Sequence, residues 1–146
     1  MNIKGFKKAF KLDMQDAVRE TMGVIASTSA EEATAMFGHY DNGADWPELS
    51  SVTVDIHREE FAASISNLGF GSFDTPLVRT GELMKSIESG STDTTAEVGT
   101  NNPLMSLHEL GIGVPARPVF GPVVNKMEDK VQAIFNASFE ENLGRH

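Results

Sequence analysis

Four histidines, at positions 39, 57, 108 and 146, are the side chains of this sequence best suited to proton transfer or metal binding, because imidazole changes charge near neutral pH. Their spacing organises neither chemistry. His108-Glu109 opens HELG rather than HExxH, so no second imidazole falls one helical turn later to complete a zinc pair. Cysteine is absent, which removes disulfides, thiolate clusters and a thiol nucleophile together. Gly111-Ile112-Gly113 lacks the Lys-Ser/Thr ending of a phosphate-cradling loop. Gly69-Phe70-Gly71-Ser72 places its serine wrongly for a nucleophile elbow. The expectation is therefore no catalytic residue, no metal and no cofactor. His108 is read instead as a residue that caps, bonds across a turn or lines a subunit contact, with a charge that responds to mild acid.

The elements that position these residues follow from periodicity. Phe6, Phe10, Met14, Ala17, Val18, Met22 and Ile25 recur at three- and four-residue spacing, which predicts a helical region over about 5–37. Gly23 and Ser27-Thr28-Ser29 weaken its middle, and Ser29 with Glu32 has capping-box spacing, so the region reads as two helices or one bent one. Unbroken, it spans roughly 50 Å at about 1.5 Å per residue, long enough that part of it packs on a neighbour. Residues 39–48, HYDNGADWPE, read as a turn in which Trp46 either pins the loop to the core or faces a partner. Residues 49–65 stay ambiguous, since SVTVDIH alternates like a strand while REEFAA favours helix.

Beyond them, NLGFGSFDTP over 67–76 is a loop whose Phe70 and Phe73 either meet a partner or fold back onto the core. Thr80 can cap a short helix over 81–85, followed by a hairpin of strands 86–90 and 94–100 turning at Ser91-Thr92-Asp93. A helix or further strand must cover that hairpin, because two strands alone are marginal. Leu104, Leu107 and Leu110 predict another short helix stopped by a left-handed Gly111, and VPARPVFGP then runs extended. The side marked by Val123 or Val124, Met127, Val131, Ile134, Phe135 and Ser138 or Phe139 predicts a final helix over about 122–142. The fold class is α+β: one domain over 1–146, with a small antiparallel sheet packed with the long N-terminal helical region and the C-terminal helix. The central loop-and-sheet region covers about 43–122.

Composition narrows the functional classes. A chain of 146 residues, 40% hydrophobic with nine Phe and seven Met, has material for one core and little for a second. No run approaches the roughly 18–20 apolar residues of a membrane span, and MNIKGFKKAF carries no long apolar stretch behind its lysines, so neither membrane insertion nor classical secretion is expected. Twelve basic against 21 acidic residues give a net charge of −9, which disfavours sequence-independent binding to DNA. Lys4, Lys7, Lys8 and Lys11 form a basic cluster that is either a solvated or protein-contacting helix face or, less simply, a nucleic-acid contact.

The ordered set WPELS with Thr53, PLVRTGELMKSI, EVGT, HELG and ARPVFG, spread over about 43–122, resembles the virion morphogenesis and tail-completion family of tailed bacteriophages, within the broader head-tail neck and tail-joining proteins. On that resemblance Trp46, Pro47, Leu49 and Ser50, then Leu77, Thr80, Gly81, Leu83, Ser86 and Ile87, then Val98, Gly99 and Thr100, match family positions. So do His108, Gly111, Ala116, Arg117 and Pro118. The chain departs from the family in Leu104-Met105-Ser106-Leu107 before the histidine, in Val119-Phe120 after the ARP triplet, and in an acidic stretch after the WPELS threonine.

The resemblance implies a non-enzymatic ring of six or twelve copies at the head-tail junction of a virion, assembled in the host cytoplasm. It would bind a portal-side neck or adaptor protein on one face and a tail terminator or tail tube protein on the other. DNA would pass its lumen without specific binding, and no membrane is involved. Trp46, Phe70, Phe73, Thr80, Gly81, His108, Gly111, Arg117 and Pro118 are then architectural or interface residues. Arg117 is expected to pair with a carboxylate within or between subunits, or to make an intrachain structural bond. An acidic lumen would let DNA slide without adhesion. The rival readings are an adaptor that closes no ring and a small hydrolase.

Overall fold

The computed structural model describes residues 3–144, with side chains described for 16–137, 140 and 141. The expectations placed on Lys4, Lys7, Lys8 and Lys11, on Phe6, Phe10 and Met14, and on Ser138 and Phe139 concern side chains outside the described residues. The architecture is mixed α+β. Among the described residues the order is α1 (Ile3–Met36), α2 (Ser51–Glu60), α3 (Ala62–Asn67), α4 (Glu82–Lys85), β1 (Glu88–Ser91), β2 (Ala96–Gly99), α5 (Leu104–Leu110) and α6 (Phe120–Gly144).

α1 is one helix of 34 residues, not two. Neither Gly23 nor Ser27-Thr28-Ser29 interrupts it: the Ser29 Oγ donates to Ile25 O, and earlier in the helix the Thr21 Oγ1 likewise donates to Ala17 O, each at 2.7 Å. This local bonding satisfies the hydroxyls without ending the helix. Ser29 is thus buried mid-helix and is no cap, and Glu32 instead meets Lys126 Nζ at 2.7 Å and Lys130 on α6. Buried Ala17, Thr21, Ile25, Ser29, Ala33 and Phe37 repeat every four residues. Four of these six are small, so a neighbouring helix can lie close along the row. α1 packs there against α6, whose Val123 and Met127 are buried, and it also covers both strands of the hairpin.

The ambiguous 49–65 stretch is helical. Ser50 takes an extended conformation and its hydroxyl accepts the Thr53 N–H at 3.2 Å, so the cap overrides the strand-like alternation of SVTVDIH. β1 and β2 form a two-stranded antiparallel sheet in the register Glu88 opposite Gly99 and Ser91 opposite Ala96. The strands are shorter than expected and Ser91 belongs to β1, with 92–95 forming the turn. Ser86 and Thr100 meet outside the ladder through their hydroxyls at 2.6 Å.

α6 starts two residues before the expected boundary, so Phe120 to Pro122 are helical and only 115–118 stays extended. Proline is tolerated there because first-turn N–H groups have no partner inside the helix. Those groups find one elsewhere: Glu109 of α5 accepts from Val119 N at 2.6 Å and Phe120 N at 3.2 Å through Oε2, and from Gly121 N at 2.9 Å through Oε1. A carboxylate from one helix therefore caps the next, favoured also by the positive end of the α6 dipole. No helix among the described residues is long and apolar enough to cross a membrane.

Candidate functional site: an arginine-lined cleft

Two strips of chain are bonded to each other beside an open cleft, which Arg117 of one of them lines. The 46–48 segment runs beside the 117–118 segment, and each bonds the other. Trp46 is buried and its indole N–H donates to Pro118 O at 2.9 Å. In return Arg117, 5% exposed, donates from Nε to Pro47 O and from Nη2 to Glu48 O, both at 3.0 Å. The structural-bond alternative for Arg117 is the one found, with a correction to its acceptor: backbone carbonyls, not a carboxylate. Trp46 is in the core, not at a partner surface.

The cleft, of about 470 Å³, lies between α2, the 77–83 segment, α5 and the chain from 114 to 117. Its size falls within the roughly 300–1,000 Å³ of ligand clefts. Thr80, Gly81, His108 and Arg117, widely separated in sequence, converge on it, together with Arg79, His57 and Leu104. Two left-handed glycines shape its edges. Gly81 precedes α4 at φ +87°, and a Cβ there would come 2.8 Å from Leu68 Cδ1. Gly111 ends α5 at φ +72°, and a Cβ there would sit 2.9 Å from Ala116 Cβ. Thr80 does not cap the short helix as expected: α4 starts at Glu82, its N-cap is Gly81, which has no side chain to bond, and the Thr80 hydroxyl accepts the Glu82 N–H at 3.2 Å in a local turn.

His57 is buried and its protonation state can be assigned. Nδ1 lies 2.9 Å from Phe73 O, which only accepts, so Nδ1 carries the proton. Nε2 is then a lone pair, and it accepts from Arg79 Nε at 3.3 Å. Burial holds the His57 pKa below the ordinary histidine value, against the opposing pull of the Phe73 carbonyl, and Arg79 lowers it further. His108 is also pushed down, first by burial and then by Arg117 and Arg79. Its main-chain oxygen accepts the Arg117 N–H at 2.8 Å, a backbone bond that does not involve the imidazole expected to bond across a turn. Its side chain caps nothing, and Nδ1 is buried without a hydrogen-bond partner among the described residues.

Phe70 and Phe73 do not line the cleft; they are half-buried and packed against the core, which is the fold-back alternative. Phe70 stacks on His39 with ring centroids 5.4 Å apart. Pro118 serves through its carbonyl to Trp46. Among the described residues no group of three or more His, Cys, Asp or Glu is placed to hold a metal ion. Sequence reasoning missed three participants: Arg79, the central role of His57, and Glu109 as a cap. Arg79 carried a signal, since it stands inside PLVRTGEL between two residues that were singled out. Comparison of the chain with family models, curated proteins and solved structures found no match.

Proposed function

We propose that the chain is a structural virion protein of a tailed phage, forming a ring at the head-tail junction that joins head to tail and lets DNA pass. One observation carries the reading. Separate segments on which the resemblance rests come together in space: the Trp46-Pro47-Glu48 strip is bonded to Arg117-Pro118 and Arg117 to the His108 carbonyl, while Thr80-Gly81 lines the same cleft as His108 and Arg117 without a bond to them. Residues so joined through main-chain carbonyls fix a shape, which is what a ring subunit requires of them. Copies of the chain are its lateral partners, a portal-side neck or adaptor protein and a tail terminator or tube protein its axial ones, and DNA its unbound passenger.

The exposed apolar side chains support an assembly role. Leu104, Leu110 and Ile112 are 52%, 69% and 56% exposed, close together on and just beyond α5. Grouped apolar exposure of this kind marks interaction surfaces more often than scattered single residues do. This surface, with the proline-rich segment after it, takes the axial role in place of the 67–76 loop, whose phenylalanines are engaged by the core. Imaging the assembled particle with this chain located tests the reading. The expected result is a closed ring of touching copies between portal and tail; a location elsewhere, or copies that never touch, overturns it.

A further inference from the structure

We propose that the cleft receives an acidic peptide segment of a partner protein, whose carboxylate reaches Arg79 and Arg117 while a neighbouring apolar side chain of the peptide covers Leu104. The inference rests on the assembly reading only for the expectation that such a partner exists.

The chain has 21 acidic and 12 basic residues, so an arginine without a carboxylate is unexpected. Arg19, Arg58, Lys126 and Lys130 each have one. Arg79 and Arg117 make no ion pair among the described residues, although both line one cleft with Glu82 beside them. Their known bonds use only part of each guanidinium: Arg79 donates from Nε to His57, and Arg117 from Nε and Nη2 to carbonyls. Arg117 Nη1 and both Arg79 Nη groups remain without a hydrogen-bond acceptor among the described residues. Such a fork suits a carboxylate, which accepts at two oxygens. His108, which lines the same cleft, is held below the ordinary histidine value chiefly by burial and secondarily by the charges of Arg117 and Arg79.

The walls select the rest of the ligand. Leu104 is half exposed at the cleft edge, and Leu107, one helical turn on, is 37% exposed beside it. A phosphodiester chain repeats its charge at every residue and so meets the net charge of −9 many times over, whereas a peptide can offer a single carboxylate to the arginines. A peptide with Asp or Glu next to Leu, Ile, Phe or Met satisfies both features.

Selection of a random twelve-residue peptide library on the purified protein tests this. The expected outcome is enrichment of an acidic residue adjacent to an apolar one. A synthetic peptide of the selected sequence should shift the backbone amide resonances of 78–81 and 104–108. Its Glu→Gln or Asp→Asn counterpart should bind about tenfold or more weakly, the scale of one lost charge-assisted bond. Arg79→Gln and, independently, Leu104→Asp should each weaken binding about tenfold; Leu104 is half exposed and outside the core cluster, so its variant tests the cleft even if Arg79→Gln perturbs His57. Absence of an acidic motif, equal binding of the neutral peptide, resonance shifts elsewhere, or stronger competition by a thymidine oligonucleotide of matched length overturns the inference. The assembly reading fails separately: a neck ring whose cleft shows no acidic preference sinks this inference alone, and acidic-peptide binding by a chain found outside the neck sinks that reading alone.

Discussion

The guanidinium of Arg117 crosses from one strip of chain to another and supplies the donors that hold Pro47 O and Glu48 O beside Trp46. Arg117→Ala removes both bonds from a buried position and should destabilise the fold by about 2–4 kcal/mol; Arg117→Lys, which keeps the charge but not the fork, should cost roughly half as much. Urea unfolding followed by Trp46 emission reads both, since this is the single tryptophan. The histidines set a pH dependence. His57 and His108 have folded pKa values below the ordinary one, so the unfolded chain binds more protons as pH falls. Their contribution is complete above about 6.5 and is lost as pH drops through that value towards the folded ones. Glu32 is lowered chiefly by its bond to Lys126, so its stabilising contribution survives until pH approaches the carboxylate range. The urea midpoint should therefore fall between pH 7.5 and 5.5, and a flat midpoint would contradict the neutral histidines. That Arg117 is fixed was legible from VPARP. Its acceptors, about 70 residues earlier, were not, because no local spacing encodes a bond at that separation.

Helix ends show what periodic patterns reveal and what they hide. The stop of α5 at Gly111 follows from spacing and residue type and is found, as is burial of Ala17, Ile25, Ala33, Met36 and Phe37 from the apolar stripe of α1, whereas the polar Thr21 and Ser29 in the same buried row were not foreseen. The continuity of α1 was not legible, because Gly23 and Ser27-Thr28-Ser29 read as weak points, and only the fold shows the Ser29 hydroxyl bonded to the preceding turn. α2 was hidden by an alternation that its Ser50 cap outweighs. Least visible was Glu109, which accepts three N–H bonds from a helix that begins after an extended strip. Glu109→Gln keeps one oxygen and places an amide against donors, so α6 should lose about 1–2 kcal/mol, with faster hydrogen exchange at Phe120 and Gly121. Gly111→Ala puts a Cβ into a left-handed position and against Ala116, and should cost about 1–3 kcal/mol in urea unfolding.

For the molecule as a whole, charge governs how copies approach. Subunits with a net charge of −9 repel one another in dilute salt, and screening shortens that repulsion to about 8–10 Å near physiological ionic strength. If the chain closes rings through its own surface, sedimentation should show self-association strengthening as salt rises from about 20 to 200 mM; weakening would mean that ion pairs, not apolar contacts, hold the copies. The helix-and-hairpin plan was legible because each element carries its own pattern. The cleft was not, since Thr80, His108 and Arg117 meet only after the chain has folded. That separation also bears on synthesis. The bond from Trp46 to Pro118 spans 72 positions, so a nascent chain cannot seat its indole until the ribosome has released the stretch around 118. Until then the indole lacks its lid and the 46–48 strip its clasp. Truncated products that stop short of this point lack the acceptor for the Trp46 indole N–H and should leave that side chain more open to solvent than the finished chain does.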